Sequence, residues 1–276
     1  MKMKNTLSKA MAKALFLFAV ILAVLLPAGL KAHAKDFAVV NAGYLSTKGS
    51  TELRETESTG EVDNYFIKFK VKKDGYVTFT AKTPPDKDYS GAYHGFWRLC
   101  DSSKQSLTHS DMFRMEEYVT FAVKKNKTYY FKVDFNDAVI INNKYKAVTD
   151  KSGNKKSKAY NLKKNKTMPG LLMAGENKAD WYKIKLPKKQ TLKLTFTTKS
   201  NNGLCVEVFS SKNLNRYLDG LMFHQTQSMD ETVSLASRKG NYNSDPYKKL
   251  PKGTYYVKVF GMKGWQQSGY YSLKWK

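Results

Sequence analysis

Residues 128–133 read Thr128-Tyr129-Tyr130-Phe131-Lys132-Val133, and residues 254–259 read Thr254-Tyr255-Tyr256-Val257-Lys258-Val259, identical at five of six positions. In each copy one face carries Tyr, Phe or Val while the other carries Tyr and Lys, the period of two that marks a half-buried strand. Upstream of each lies a second alternating segment. Tyr65, Ile67, Phe69 and Val71 oppose Lys68 and Lys70; Tyr182, Ile184 and Leu186 oppose Lys183 and Lys185. Each segment opens with an aspartate two residues before its tyrosine, Asp63 and Asp180, and is followed by a further strand pattern at residues 77–79 or 192–196. Between these landmarks Trp97-Arg98-Leu99-Cys100-Asp101 aligns with Val206-Glu207-Val208-Phe209-Ser210. No amphipathic helix interrupts the strands. Self-similarity at this period implies a duplicated unit, and each copy has enough strands to close its own core. The expected fold is all-β, with two tandem jelly-roll-like β-sandwich domains.

In the second half the landmarks run Asp180-Trp181-Tyr182-Lys183-Ile184, then Leu186-Pro187, then Leu250-Pro251-Lys252-Gly253-Thr254-Tyr255-Tyr256-Val257, then Ser268-Gly269-Tyr270-Tyr271-Ser272-Leu273. This order resembles the bacterial pre-peptidase C-terminal domain. The resemblance covers residues 156–276 and, more loosely, 38–148, where Val123-Lys124-Lys125-Asn126-Lys127 replaces the Leu-Pro-x-Gly turn and no Ser-Gly-Tyr closing strand is evident. It implies a jelly-roll-like sandwich of secreted bacterial proteins, related to collagen-binding and carbohydrate-binding modules and often found beside catalytic domains.

The first residues have the parts of an export signal: Lys2, Lys4, Lys9 and Lys13, an apolar run over 14–26, then Ala32-His33-Ala34. A bilayer-spanning helix needs roughly 20 apolar residues, so cleavage after Ala34 is expected and a permanent anchor is the alternative. The expected organisation is a signal peptide at 1–34, a first domain at 35–148, a basic linker at 149–158 and a second domain at 159–276. The product is read as secreted by a Gram-positive bacterium, with no membrane span after cleavage. Two cysteines, Cys100 and Cys205, exclude a dense disulfide framework. They are read as buried thiols, with one bridge between the halves as the alternative.

The net charge is +25, and it is unevenly placed. Residues 35–150 hold 18 basic and 16 acidic side chains, a net +2, whereas residues 151–276 hold 25 and 7, a net +18. Outward strand lysines keep a sandwich soluble and block edge pairing. That does not explain seven lysines between Lys151 and Lys166 without one acid. Lys155, Lys156, Lys158, Lys163, Lys164 and Lys166 are therefore candidate contacts for an anionic partner. Aromatics in Gly-rich loops are candidates for stacking on sugar rings: Tyr93, Phe96 and Trp97 after Gly91, and Trp265 in the 261–269 loop. Tyr65, Tyr182, Tyr129 and Tyr255 are read as core.

Catalytic patterns are missing. After the signal only His94, His109 and His224 remain, and the sequence has no Gly-x-Ser-x-Gly elbow, zinc spacing or phosphate loop. A Cys100–His94 dyad is a weak option, because Cys100 lies in a strand pattern. Glu55, Glu57, Glu61 and Asp63 form the one acidic cluster; calcium as in the related collagen-binding modules is one reading and a solvated loop the other. Asp63 and Asp180 are read as turn caps bonded to backbone amides. No other cofactor is expected.

The leading expectation is a non-catalytic binding or adhesion protein whose basic second domain contacts an anionic polysaccharide, a cell-wall polymer such as teichoic acid, or a host surface. A structural accessory to a secreted enzyme system is the alternative, and a small hydrolase comes last. Nucleic acid is not expected for an exported chain.

Overall fold

The computed structural model describes residues 38–54, 63–89, 93–135, 137–176, 178–223, 231–234, 249–262, 264 and 266–276. The proposed signal at 1–34, and Glu55, Glu57, Glu61 and Trp265, lie outside the described residues. So do the side chains of Asp63 and His224.

Alternation of apolar and polar residues yields strands throughout, and they assemble into four sheets. The first sheet runs β1 (Ala38–Tyr44), β3 (Asp63–Lys70), β8 (Tyr129–Phe135), β5 (Tyr93–Cys100), β6 (Asp111–Arg114). Its partner runs β2 (Gly49–Arg54), β9 (Ala138–Ala147), β4 (Gly75–Lys82), β7 (Tyr118–Val123). The third runs β10 (Tyr160–Asn161), β12 (Asp180–Leu186), β17 (Gly253–Phe260), β14 (Leu204–Ser210), β15 (Asn213–Phe223). The fourth runs β11 (Met168–Leu172), β18 (Gly269–Trp275), β13 (Lys193–Ser200), β16 (Glu231–Ser234). The second pair of sheets repeats the strand order of the first, displaced by nine strands. β1 with β3 and β10 with β12 are parallel, and the other pairings are antiparallel. Trp97 pairs with Val133 and Val206 with Val259, so the two aligned segments occupy the same register in their sheets.

Each pair of sheets closes on its own core. The first is aromatic: Phe69, Phe79, Phe113, Phe121, Phe131 and Phe135 are all fully buried, and Phe79 stacks on Phe131 at 3.9 Å. The second is more aliphatic, with Ile184, Leu192, Leu194, Leu204, Val257 and Leu273 around Phe196 and Tyr271. Burying one such side chain contributes about 1.5–3 kcal/mol, which allows each sandwich to hold without cross-links. Cys100 and Cys205 are buried free thiols.

The sandwiches are packed together. Tyr76, Ala122 and Leu171 form a shared apolar cluster with Val148, Met173 and Tyr270, and the Tyr76 and Tyr270 rings lie 4.8 Å apart. Ser268 crosses this contact: its hydroxyl accepts from the Ala122 amide at 2.9 Å and donates to the Leu172 carbonyl at 2.9 Å. Lys124 pairs with Glu176, and Ala174 joins the core of the first sandwich.

Composition marked residues 151–158 as a linker, but backbone bonds tie them to the second sandwich. Gly153 and Trp181 exchange both of their amide bonds, at 3.1 and 2.7 Å, and a short 3-10 turn at Lys156–Lys158 follows. A lysine-rich segment can lie against a sheet in this way because its charges face water while its backbone groups pair.

A candidate binding face on the second sandwich

The outward face of the β10–β15 sheet is built by residues out of phase with its core. In β12, Tyr182 and Ile184 point inward, so Trp181 and Lys183 point outward. In β17, Tyr255, Val257 and Val259 are buried and Tyr256, Lys258 and Phe260 face out. Register then sets neighbours. One row runs Asn161, Lys183, Tyr256 and ends on Phe209, which is buried, and the next runs Trp181, Lys258, Glu207. Trp181 and Phe209 approach at 6.0 Å, Lys156 sits 5.2 Å from the centre of the Tyr256 ring, and Lys258 sits 3.9 Å from that of Phe260. Cation–ring contacts of this kind are worth about 0.5–1 kcal/mol when exposed, and they hold the ammonium groups beside the rings. Glu207, 3.5 Å from Lys258, is the one acid in these rows.

At one end the face opens into a cleft of about 460 Å³ lined by Lys178, Lys258, Phe260, Met262, Gln267 and Glu176, among others. The Gln267 side chain accepts from the Met262 amide and donates to the Asn202 carbonyl, both at 2.5 Å, which fixes the base of the 261–269 loop. Flat apolar rings beside ammonium groups match a chain with both carbon faces and anionic groups.

The corresponding face of the first sandwich carries a similar contact. Tyr130 and Lys132 stand where Tyr256 and Lys258 stand, Phe66 is 4 % exposed, and Lys104 lies over both the Phe66 and Tyr130 rings at 4.9 and 5.8 Å, as Lys156 lies over Tyr256. The turn that carries Lys104 is held by Asp101, whose carboxylate accepts from the Ser103 and Gln105 amides at 2.8 and 3.0 Å. Lys132 is spent on Asp134 at 3.0 Å.

The sequence candidates divide. Lys156 belongs to the face, and Lys155 and Lys158 flank it, exposed. Lys163, Lys164 and Lys166 are exposed in the β10–β11 turn, where Lys164 lies 5.9 Å from the Trp275 ring. Trp97 is a correction. It is 2 % exposed and stacked on Phe113 at 4.5 Å, because the β5 alternation turns it inward and leaves Phe96 outside. Phe96 and Tyr93 are exposed, the latter under the Arg114 guanidinium at 4.3 Å. Trp181 and Tyr256 were missed as site residues, although their phase relative to buried Tyr182 and Tyr255 marks them.

Asp180 is not a backbone cap either. Its carboxylate accepts from the Tyr271 hydroxyl at 2.5 Å, and Tyr271 is bonded to Tyr182 at 2.7 Å. Asp150 is the residue that caps backbone, accepting from the Ser152 amide at 2.7 Å and the Leu171 amide at 3.0 Å. Burial, together with the like charge of Asp150, pushes the Asp180 carboxyl up to about 7. The Tyr271 ring lies directly on Gly170, where an added Cβ would collide with its ring atoms and hydroxyl. Gly170→Ala is therefore expected to expel Tyr271 from its bond to Asp180 and to cost about 2–3 kcal/mol, measured by denaturant unfolding.

Among the described residues no group of three or more His, Cys, Asp or Glu could hold a metal ion. His94 bonds the Ala138 carbonyl and packs on Tyr89, and burial pushes the Cys100 thiol up and that of Cys205 to about 11. Neither thiol is an activated nucleophile. Among the described residues no helix is long and apolar enough to cross a membrane.

No protein-family profile and no curated protein matches the chain. Among solved structures, the pre-peptidase C-terminal domain of a collagenase from Bacillus anthracis is similar over 43 % of this chain and 94 % of its own, at 16 % identity and a TM-score of 0.29. The CUB1-EGF-CUB2 domains of rat MASP-1 are similar over 86 % of this chain and 99 % of their own, at 8 % identity and 0.25, and those of human MASP-1/3 over 84 % and 100 %, at 7 % and 0.24. The fold stands on the sheets described above.

Proposed function

We propose that this is a secreted, non-catalytic binding or adhesion protein, built of two pre-peptidase C-terminal-like copies, whose second sandwich holds an anionic polymer of the teichoic acid or acidic polysaccharide class. Export by residues 1–34 and processing after Ala34 belong to the same reading. The observation that supports it is the alternation of Trp181 and Tyr256 with Lys156, Lys183 and Lys258 over adjacent strands. Rings take the carbon faces of sugars or polyols. Lysines take phosphate, sulfate or carboxylate groups. The first sandwich, near neutral, acts as a scaffold.

Exposed ion contacts are weak singly and screened within about 8 Å at physiological salt, so affinity is expected to fall more than about tenfold between about 50 and 500 mM salt. Glutamine at Lys156, Lys183 and Lys258 together is expected to reduce that salt dependence, at a cost in stability of about 1–2 kcal/mol from the lost ring contacts. Binding of the full chain to immobilised lipoteichoic acid and heparin, with neutral dextran as control, measures both. Absence of binding to either anionic polymer at low salt would overturn the reading and favour an accessory role beside a secreted enzyme.

A further inference from the structure

We propose that the cleft where β1 and β2 of the first sandwich join is a binding site for the acetamido group of a neutral N-acetylated sugar, with the Asn143 side-chain amide as its hydrogen-bond donor. This site is separate from the anionic face of the second sandwich and does not rest on it.

The two copies differ here at one pair of residues. Val77-Thr78-Phe79-Thr80 in β4 matches Leu194-Thr195-Phe196-Thr197 in β13. Register carries the match across each sheet. Phe79 pairs with Asn143 and Asn143 with Gly49, whereas Phe196 pairs with Leu273 and Leu273 with Met168. In the second sandwich Leu273 is fully buried in the core and Met168 packs against that core. The first sandwich has an amide and a glycine in those places. Asn143 follows Val139 and Ile141 at the two-residue period, so it shares their inward phase. It is 9 % exposed, and its Nδ2 is buried without a hydrogen-bond partner. Gly49 leaves room for it, since an added Cβ would stand 2.6 Å from Asn143 Oδ1.

A leucine would serve the core at this position, as Leu273 does. A buried amide without a partner costs stability, and in a native fold such a group calls for an explanation. Here it lines an opening. β1 and β2 are edge strands of opposing sheets, and at their junction lies a cleft of about 370 Å³ lined by Val40, Ala42, Tyr44, Leu45, Thr51 and Asn143, among others. Val40 and Ala42 pack against the core and Leu45 is buried in it; Tyr44 is 49 % exposed, with the Lys72 ammonium 5.9 Å from its ring centre. Other polar groups of the rim are already engaged: Asn41 Oδ1 accepts from the Gly43 amide, and the Ser46 hydroxyl donates to the Lys48 carbonyl. Among the described residues no charged side chain lines the cleft.

Those features select the ligand. A carbonyl oxygen takes the Asn143 amide proton, the methyl group beside it fits the apolar walls, and the Tyr44 ring at the mouth suits the carbon face of a pyranose. An acetamido sugar has all three. A charged substituent would lose its water in this cleft without meeting an opposite charge.

Calorimetric titration of the full chain with the trisaccharide of N-acetylglucosamine and with that of glucose tests the assignment. The N-acetylated ligand is expected to bind at least about tenfold tighter, because a site built around a hydrogen-bond donor rejects a ligand that leaves it unpaired. Its affinity is expected to stay constant between about 50 and 500 mM salt, unlike that of an anionic polymer. Asn143→Leu, which gives the first copy the residue of the second, is expected to raise the unfolding midpoint and to lose at least about tenfold in affinity. Tyr44→Ala, on the exposed rim, is expected to weaken binding several-fold, and it keeps the test open if Asn143→Leu does not fold. Equal affinity for the two trisaccharides, binding of neither, or wild-type affinity in either variant would overturn the proposal. Salt-independent binding of the N-acetylated trisaccharide by a chain that ignores lipoteichoic acid and heparin supports this site and overturns the anionic reading; binding of the polymers without the trisaccharide does the reverse.

Discussion

On the binding proposed above, replacing Trp181 by alanine is expected to lower affinity for an anionic glycan by about 30-fold, a loss expected to persist when salt is raised. The indole lies in the middle of the outward face, 6.0 Å from the Phe209 ring and paired in register with Lys258, so its removal leaves the lysines without an apolar floor. Aromatic anchors at the centre of a contact surface commonly carry about 2 kcal/mol or more, which corresponds to roughly 30-fold. Salt discriminates the two contributions, because ring contact is insensitive to it and ion contact is not. Tyr130→Ala in the first sandwich is the matched control and is expected to change affinity little, since that half of the chain is near neutral. Titration of both variants against lipoteichoic acid decides the matter; equal affinities for wild type and Trp181→Ala would remove the indole from the site.

Phe131→Ala has the largest expected effect on stability, about 3–5 kcal/mol. Phe131 is fully buried, stacked on Phe79 at 3.9 Å with planes 4° apart, and flanked by Trp97 at 6.0 Å and Phe121 at 6.1 Å. Its loss opens a cavity among rigid rings drawn from both sheets, and such rings cannot all relax into it. Urea unfolding monitored by fluorescence and far-ultraviolet dichroism gives the shift. Coincident transitions by the two probes would mean that the packed sandwiches unfold as one unit, while a split transition would assign the first step to the first sandwich. A loss below about 1 kcal/mol would contradict the packing described.

How much was legible follows from particular residues. The repeat at Tyr129 and Tyr255 was visible in the sequence because both tyrosines are buried for a local reason, the two-residue period of a strand. The same period, applied to Asp180-Trp181-Tyr182, places Trp181 outside; reading the landmark as a single block obscured the one residue in it that faces solvent. Trp97 misled in the opposite direction. Gly91 before it suggested a loop, yet a bulge between Tyr93 and Gly95 shifts the alternation and turns the indole inward onto Phe113.

Sequence by itself determined the all-β class, the phase of the repeated strands at Tyr65, Tyr129, Tyr182 and Tyr255, the near-neutral first half and the basic second half, because each of these depends on neighbours along the chain. Tertiary structure decided that Lys104 folds over Phe66 and Tyr130 from a turn held by Asp101, and that Lys156 lies over Tyr256. It also decided that a lysine-rich segment is tied down, through the Gly153–Trp181 bridge and the Asp150 carboxylate on the Leu171 amide. Those contacts join segments far apart in the chain, and hydrogen bonds between distant segments leave no period in the sequence.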